Sequence, residues 1–568
     1  MLSRAWRGAR VPALFLAFFF FLTFSGAGAA ERFVSVLPGP AQGQWTVTVE
    51  AEARPTLWLD GEPTDAVPGP AAEGSFEYRL TGVGGTLLGL GAEGATAAVR
   101  LDAGRQPFND RIVYHIMMAY FANGSVENDR AGMRRWVHKN YAGGDLQGLL
   151  ARADYLSRLG VNAVWLSPVF QSETSHGYDV QNYFRIGDAM AVPRDPEASM
   201  ALFRQVVEAL GERDIEVILD LPLDYGAGTY DRRAGDPNRR RPKHTRARQE
   251  AEKVWEEWGT GFKYWNLEDE DTRRFLVEVG AWWLENTDIG GFRLDYVRGV
   301  DHRFWAEFYA AMKAIDPGAF LFGEAWQDAA AISANMTDIA AYYEPVEGIG
   351  PQFDSLIEYP LQMVMTEVFS RGAGVRDLET WLQATEAAYG GHGEPLYFLD
   401  NHDIARFSDW AVDQPRDRLL AALTFMSSLP GPVAIFYGTE IGLSGSRPVR
   451  GFTDLGRIPM PWDDLDESAV AAVAEIFRAR REHPVMSHGI RLPLLADDKT
   501  LVMARMHEGS LALVGVNLDA EARTVEFEFP PAAAGFEPLF GGAVPARIDG
   551  ARWRWELAPM KTAVAVAP

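Results

Sequence analysis

The chain of 568 residues contains no cysteine. It cannot use disulfides and cannot be held to a membrane as a thiol-linked lipoprotein, so its stability has to come from the size of its core, with a bound metal as the remaining aid. Positive charge is also scarce. Lys and Arg number 54 against 78 Asp and Glu, a formal charge of −24, which disfavours nucleic acid or an anionic membrane surface as a partner. One basic stretch runs against this balance, "RRAGDPNRRRPKHTRAR" at 232–248. It is flanked by acidic sequence and lacks interleaved aromatics, so it reads as a solvated loop. Long hydrophobic runs are missing everywhere except at the N-terminus. There Arg4, Arg7 and Arg10 precede an apolar run from Val11 to Phe24, and small residues follow in "SGAGAAE". The run is short for a membrane span, and its layout is that of a secretory signal peptide over residues 1–30; an uncleaved anchor is the other reading. The expectation is an exported protein, periplasmic or extracellular, with no stable membrane insertion after cleavage. Without the three leader arginines, 51 basic residues face 78 acidic ones, a net charge of about −27.

What is present is a globular composition, 47% hydrophobic and 23% charged, in a chain long enough for a large domain with smaller partners. Residues 31–105 carry short β-rich runs such as "QWTVTVEAEA" and "SFEYRL" between Gly and Pro, which predicts an N-terminal β-sandwich. From residue 111 the pattern changes to strands alternating with helical segments. Eight strand candidates follow in order: "RIVYHIMM", "NAVWLSPV", "EVILDLPL", "GGFRLDYV", "AFLFGEAW", "QFDSLIEYPL", "PLYFLDNHD" and "GPVAIFYGTE". This predicts an α/β fold, a (β/α)8 TIM barrel over 106–490 with a loop domain of about 224–268 inserted after strand 3. Residues 491–568 return to short strands and predict a C-terminal antiparallel β-domain.

Barrels of this kind carry their active sites at the C-terminal ends of their strands. The third strand ends in Asp220, the fourth in Arg293 and Asp295, the fifth in Glu324, and the seventh in His402 and Asp403. Any one carboxylate at a strand end could cap a helix or pair with a cation. Several around one rim repel each other unless they are used. Converging carboxylates suit glycoside hydrolysis, in which one acts as nucleophile and another, kept protonated, releases the leaving group. Flat aromatic surfaces suit sugars, and Tyr178, Trp265 and Trp326 lie in or near strand-end loops.

Together "GYDVQNY", "GFRLDYV", "FGEAW", "FLDNHD" and "GPVAIFYGTE" resemble, in order, the motif set of the α-amylase superfamily of retaining glycoside hydrolases. The leading sandwich with "NDRIVYHIMMAYFANG", "GGDLQG" and "GEAWQDA" is most similar to the neopullulanase, cyclomaltodextrinase and maltogenic-amylase branch. The resemblance implies that Asp295 is the nucleophile, Glu324 the general acid and base, and Asp403 the residue that grips sugar hydroxyls. It implies that Arg293 orients Asp295 and that Asp220 supports the arginine. Sugar contacts would come from His402, Tyr178, His176, Trp326 and Tyr225. The implied substrate is an α-1,4-linked glucan, that is, a maltodextrin, a cyclodextrin or a fragment of starch or pullulan. An α-glucanotransferase or trehalose-forming isomerase on the same scaffold is the alternative, and a non-catalytic carbohydrate-binding homologue a remoter one. The N-terminal domain would bind glucan or form a homodimer.

The chain departs from the family at two places. Where the third-strand motif usually runs Asp, three residues, Asn, His, this chain has "DLPLDY", with Asp224 and Tyr225 in the last two places. After the nucleophile, Arg298 and Gly299 replace the frequent Lys-His. The cluster Asn123, Ser125, Asn128, Asp129, Gly143 and Asp145 offers oxygen ligands of the type calcium takes. In the resembled branch this loop binds Ca2+, and Ser125 stands where an acidic ligand is usual. Taken alone, the cluster reads as a turn.

Overall fold

The computed structural model describes residues 32–567 apart from 39–43, 52, 60–61, 70–74, 82–86, 91–96, 101–107, 135–136, 138–139, 228–261, 327–338, 344–345, 390–392, 446–455 and 530–534. The expected signal segment, the basic stretch and most of the expected insertion after strand 3 lie outside the described residues. Among the described residues no helix is long and apolar enough to cross a membrane.

Eight short strands build one parallel sheet: β1 (Ile112–Ile116), β2 (Ala163–Leu166), β3 (Glu216–Leu221), β4 (Gly291–Leu294), β5 (Phe320–Gly323), β6 (Ser355–Leu356), β7 (Tyr397–Phe398) and β8 (Val433–Phe436). Strand follows strand from β1 to β6, and β1 pairs on its other side with β8, which pairs with β7. A parallel bridge between Ile357 and Leu396 joins β6 to β7 and closes the barrel. Each predicted strand is found.

Side chains alternate across these strands, as β geometry requires. One set fills the barrel's interior, including Val113, Trp165, Ile218, Phe320 and Phe322. The other, including Ile112, Tyr114, Val217, Leu219, Phe292 and Leu321, packs outward in the larger core. Both faces are buried, which is why the strands read as near-continuous apolar runs. The same alternation sends Arg293 inward. The parallel register sets Asp220 opposite Arg293 and Arg293 opposite Phe322, so the third strand's acid and the fourth strand's base are forced side by side.

The crossover helices show sequence-legible starts. Asp195 caps Pro196–Gly211 by accepting from the Ala198 N–H at 3.0 Å, with proline at the first helical position. Its Phe203, Val206, Val207 and Leu210 form the buried stripe. Asp269 caps Glu270–Asn286 in the same way. Tyr225–Ala227 and Phe262–Tyr264 pair antiparallel at the base of the insertion.

After the barrel, a five-stranded antiparallel sheet (Ile490–Ala496, Thr500–His507, Ser510–Asn517, Lys561–Ala567, Glu537–Phe540) and a three-stranded one (Arg523–Glu528, Arg552–Leu557, Ala546–Asp549) end the chain. Before it lie a three-stranded sheet (Arg32–Pro38, Gln44–Glu50, Ser75–Thr81) and a four-stranded one. Val47, Val49, Leu57, Tyr78 and Leu80 of this leading region share one apolar cluster with Ile490, Phe527, Trp553 and Trp555 of the closing one.

Candidate active site

At the C-terminal mouth of the barrel, Arg293 is wholly buried and touches three carboxylates. Its Nη1 donates to Asp220 Oδ1 at 2.8 Å and to Asp295 Oδ1 at 2.5 Å, and its Nη2 lies 2.7 Å from Glu324 Oε2. The two charges of "GFRLDYV" thus pair with each other and with two further strands. Removing a guanidinium from water is costly, and repayment needs such close, hydrogen-bonded partners.

Each acid is held from its other side as well. Asp220 Oδ2 accepts from Trp165 Nε1 and from the Tyr178 hydroxyl, both at 2.8 Å. Glu324 accepts from the Tyr296 backbone N–H at 3.0 Å and from the Tyr359 hydroxyl at 3.0 Å. Tyr296 can present that N–H because it takes the left-handed conformation, φ 45° and ψ 50°, uncommon for a residue with a side chain. Asp295 Oδ2 accepts a short hydrogen bond from the Tyr225 hydroxyl.

A second chain of contacts reaches the seventh strand. His402 Nε2 lies 2.7 Å from the Tyr178 hydroxyl and 3.2 Å from Asp403 Oδ2, and the His402 and Tyr178 rings lie parallel, 5.5 Å apart. Asp403 Oδ1 accepts from Arg457 Nη2 at 3.1 Å. Asp295, Glu324 and Asp403 are therefore linked through Arg293, Asp220, Tyr178 and His402 into one polar cluster. His176 accepts at Nδ1 from the Tyr178 N–H at 3.1 Å, and Trp326 stacks on Tyr359 with ring centroids 5.3 Å apart.

Burial dominates the proton affinities. It pushes Asp295 well above the usual carboxylate range, with Arg293 pulling it back and Glu324 and Asp220 adding to the rise. Asp220 is pushed up to about 6, again by burial and against Arg293. With several acids around one guanidinium, retention of a proton inside the cluster is favoured. His402 is driven well below its ordinary value by burial, then by Arg457 and Arg293, so its imidazole is neutral at neutral pH. Beneath it His115 stacks on Trp165 at 3.6 Å and is neutral for the same reason.

Two aromatic candidates have their polar atoms partnered within the protein. Trp265 is no sugar platform: it is 1% exposed, and its indole N–H donates to the Tyr183 hydroxyl at 3.1 Å. Tyr225 has its hydroxyl on Asp295 rather than open for a sugar. Tyr359, Tyr296 and Arg457 were missed. Tyr359 lies within the sixth-strand motif "QFDSLIEYPL" and was open to the same strand-end test; Arg457 belongs to none of the quoted motifs.

The six calcium candidates divide. Asp145 caps the helix Leu146–Ala151 and is saturated: Oδ1 accepts from Gly124 N and Gly148 N, Oδ2 from Ser125 N and Asn128 Nδ2. Its carboxylate is hydrogen-bonded on both oxygens within the loop and helix start, and Ser125 meets it through its backbone N–H. Asn123 and Asp129 meet at 2.9 Å, and Gly143 packs so closely on both that a Cβ there would collide with them. Asn128 Oδ1 is fully buried and receives no hydrogen bond among the described residues, a cost that a hard cation would remove. Asn123, Asn128 and Asp129 beside Gly143 offer the oxygen chemistry that such an ion takes.

A closed parallel barrel whose mouth gathers acids from four strands defines a glycoside hydrolase of the (β/α)8 class. The family model "Alpha amylase, catalytic domain" matches residues 115–229 and 261–483, and the chain belongs to the α-amylase family. It is 29% identical over 453 residues to a cyclomaltodextrinase of Bacillus sp, covering 73% of this chain and 74% of that one. It is 28% identical over 455 residues to neopullulanase 2 of Thermoactinomyces vulgaris, covering 74% and 71%. The solved structure of an Anoxybacillus α-amylase superposes with a TM-score of 0.67 at 26% identity, covering 82% of this chain and all but 1% of that one.

Proposed function

We propose that the protein is an exported hydrolase that cleaves α-1,4-glucosidic bonds in maltodextrins, cyclodextrins or fragments of starch and pullulan, with retention of anomeric configuration. The observation that carries this reading is the single Arg293 guanidinium in contact with both Asp295 and Glu324. One guanidinium thus sits between the two carboxyls that a retaining mechanism uses as nucleophile and as acid and base. Similarity to enzymes named cyclomaltodextrinase and neopullulanase supports the substrate class.

In this reading Asp295 attacks the anomeric carbon while Glu324 gives its proton to the departing oxygen. Glu324 then takes a proton from the water that releases the glycosyl group. Asp403, steadied by Arg457, grips ring hydroxyls. His402 and His176 line the same subsite, with Tyr178 beneath and Trp326 on the leaving-group side. A calcium ion held by Asn123, Asn128 and Asp129 would brace the loop after β1, and the leader at 1–30 supports export.

Product analysis by NMR tests the reading. Purified protein incubated with starch, pullulan, cyclodextrins, maltotriose and trehalose should first release α-anomeric products from the α-1,4-linked glucans. Initial release of the β-anomer would contradict it, and conversion of maltotriose without net gain of reducing ends would make the enzyme a transferase.

A further inference from the structure

We infer that Tyr225, which stands where the family usually has histidine, is a positioning residue that clamps the nucleophile Asp295 and stabilises it as a leaving group when the glycosyl intermediate is hydrolysed. This rests on the proposed role of Asp295.

The clamp is built from the backbone outward. Tyr225 opens the strand Tyr225–Ala227, in register with Tyr264 across the pair. The strand is pinned: the Tyr183 hydroxyl donates to the Pro222 carbonyl at 2.8 Å and lies 3.2 Å from the Tyr225 carbonyl, the Trp265 backbone N–H donates to the Asp224 carbonyl at 2.9 Å, and the Trp265 ring presses on Gly226. A Cβ at 226 would come within 2.6 Å of Trp265 Cζ2, so only glycine admits this brace. The Tyr225 ring is itself buried among Tyr178 and Tyr264, with Tyr296 packed against them. Ring and strand are both held, and the hydroxyl donates to the nucleophile.

Its acceptor is Asp295 Oδ2, while Oδ1 is held by Arg293 Nη1 at 2.5 Å. Both oxygens of the carboxylate are thus tethered, and each keeps a second lone pair for the anomeric carbon. In the first half-reaction the bond from carbon to the glycosidic oxygen breaks as the bond to Asp295 forms, and Glu324 supplies the proton. In the second, a water oxygen bonds the carbon, Glu324 takes the water's proton, and the bond to Asp295 breaks with its electron pair returning to the carboxylate. A donor on Oδ2 favours the carboxylate over the ester. Tyr225 therefore assists the second half most, and it transfers no proton itself. Burial and the charge of Asp295 hold the phenol well above its ordinary range, so its donor is present at every working pH.

The test is Tyr225→Phe, which deletes one oxygen, assayed with α-maltosyl fluoride across pH and by stopped flow. Loss of a hydrogen bond to a charged group should lower kcat by roughly ten- to hundred-fold. KM should stay level or fall, because the covalent intermediate accumulates and a burst appears. The acid limb of kcat/KM should move up by about one unit as Asp295 loses a donor. A raised KM with unchanged kcat and an unmoved acid limb would make Tyr225 a plain substrate contact and overturn the inference. Tyr225→His restores a donor and should recover part of the lost kcat; a folded His variant as slow as the Phe variant counts against it. Asp295→Asn separates the two levels. Near-normal turnover in that variant removes the nucleophile assignment itself, whereas an inactive Asp295→Asn beside an unaltered Tyr225→Phe overturns only the clamp.

Discussion

The guanidinium of Arg457 donates from Nη2 to Asp403 Oδ1 at 3.1 Å and from Nε to the His402 carbonyl at 2.9 Å. One side chain from the loop after β8 thus fixes both the carboxylate and the backbone of the seventh-strand end. Arg457→Ala should lower kcat/KM on maltotriose by roughly ten- to hundred-fold, since a charged hydrogen bond is lost. Arg457→Lys should recover only part, because an ammonium cannot reproduce the two-point fork. Steady-state kinetics beside a melting curve decide it: an Ala variant with full activity, or one that loses activity only by unfolding, removes the positioning role.

Glu358 follows β6 with 1% exposure and accepts from the Tyr389 hydroxyl at 3.1 Å, from Thr385 Oγ1 at 3.3 Å and from the Leu361 N–H at 3.3 Å. Burial pushes its carboxyl up to about 7 against those hydrogen bonds. The unfolded value is about 4.3, so between these limits the native state binds more protons and stability falls as pH rises. Glu358→Gln keeps the shape and removes the titration. Relative to the parent, the variant should gain stability from pH 5 to pH 8 by about 3 kcal/mol at most. Urea unfolding at the two pH values reads this, and a difference that is flat or of opposite sign rejects it.

Calcium should raise the melting temperature of the intact enzyme, and chelation should lower it, by mass action on the native state. Asp129→Ala should abolish the response, and Asn128→Ala should weaken it, with binding followed by calorimetry. A protein whose melting is indifferent to calcium and chelator has no such ion.

The barrel was legible because its strands are buried on both faces. That makes apolar runs such as "EVILDL" stand out between helices, and it exposes inward charges such as Arg293 as anomalies. The acids were legible for the same reason: a carboxylate at the end of a buried strand has few places to go. Trp265 took core packing, the commoner fate of a lone tryptophan, but which neighbour it would meet was not legible, since its contact with Gly226 spans residues 39 positions apart. Asp145 is a different case. An aspartate just ahead of "LQGLL" is a helix start signal, and in the structure the cap takes one of its oxygens while Ser125 and Asn128 of the preceding loop take the other. Arg457 was invisible because what it needs is a carboxylate 54 positions away, and nothing in its own neighbourhood announces that.

The apolar cluster that unites Val47, Val49 and Tyr78 with Trp553 and Trp555 carries a consequence for biosynthesis. The β-segments made before the barrel find these packing partners only when the segments after it arrive, so a greasy flank stays open to chaperones or to misassociation throughout synthesis of the barrel. Trimming a few strands from either end would leave the opposite terminus uncovered.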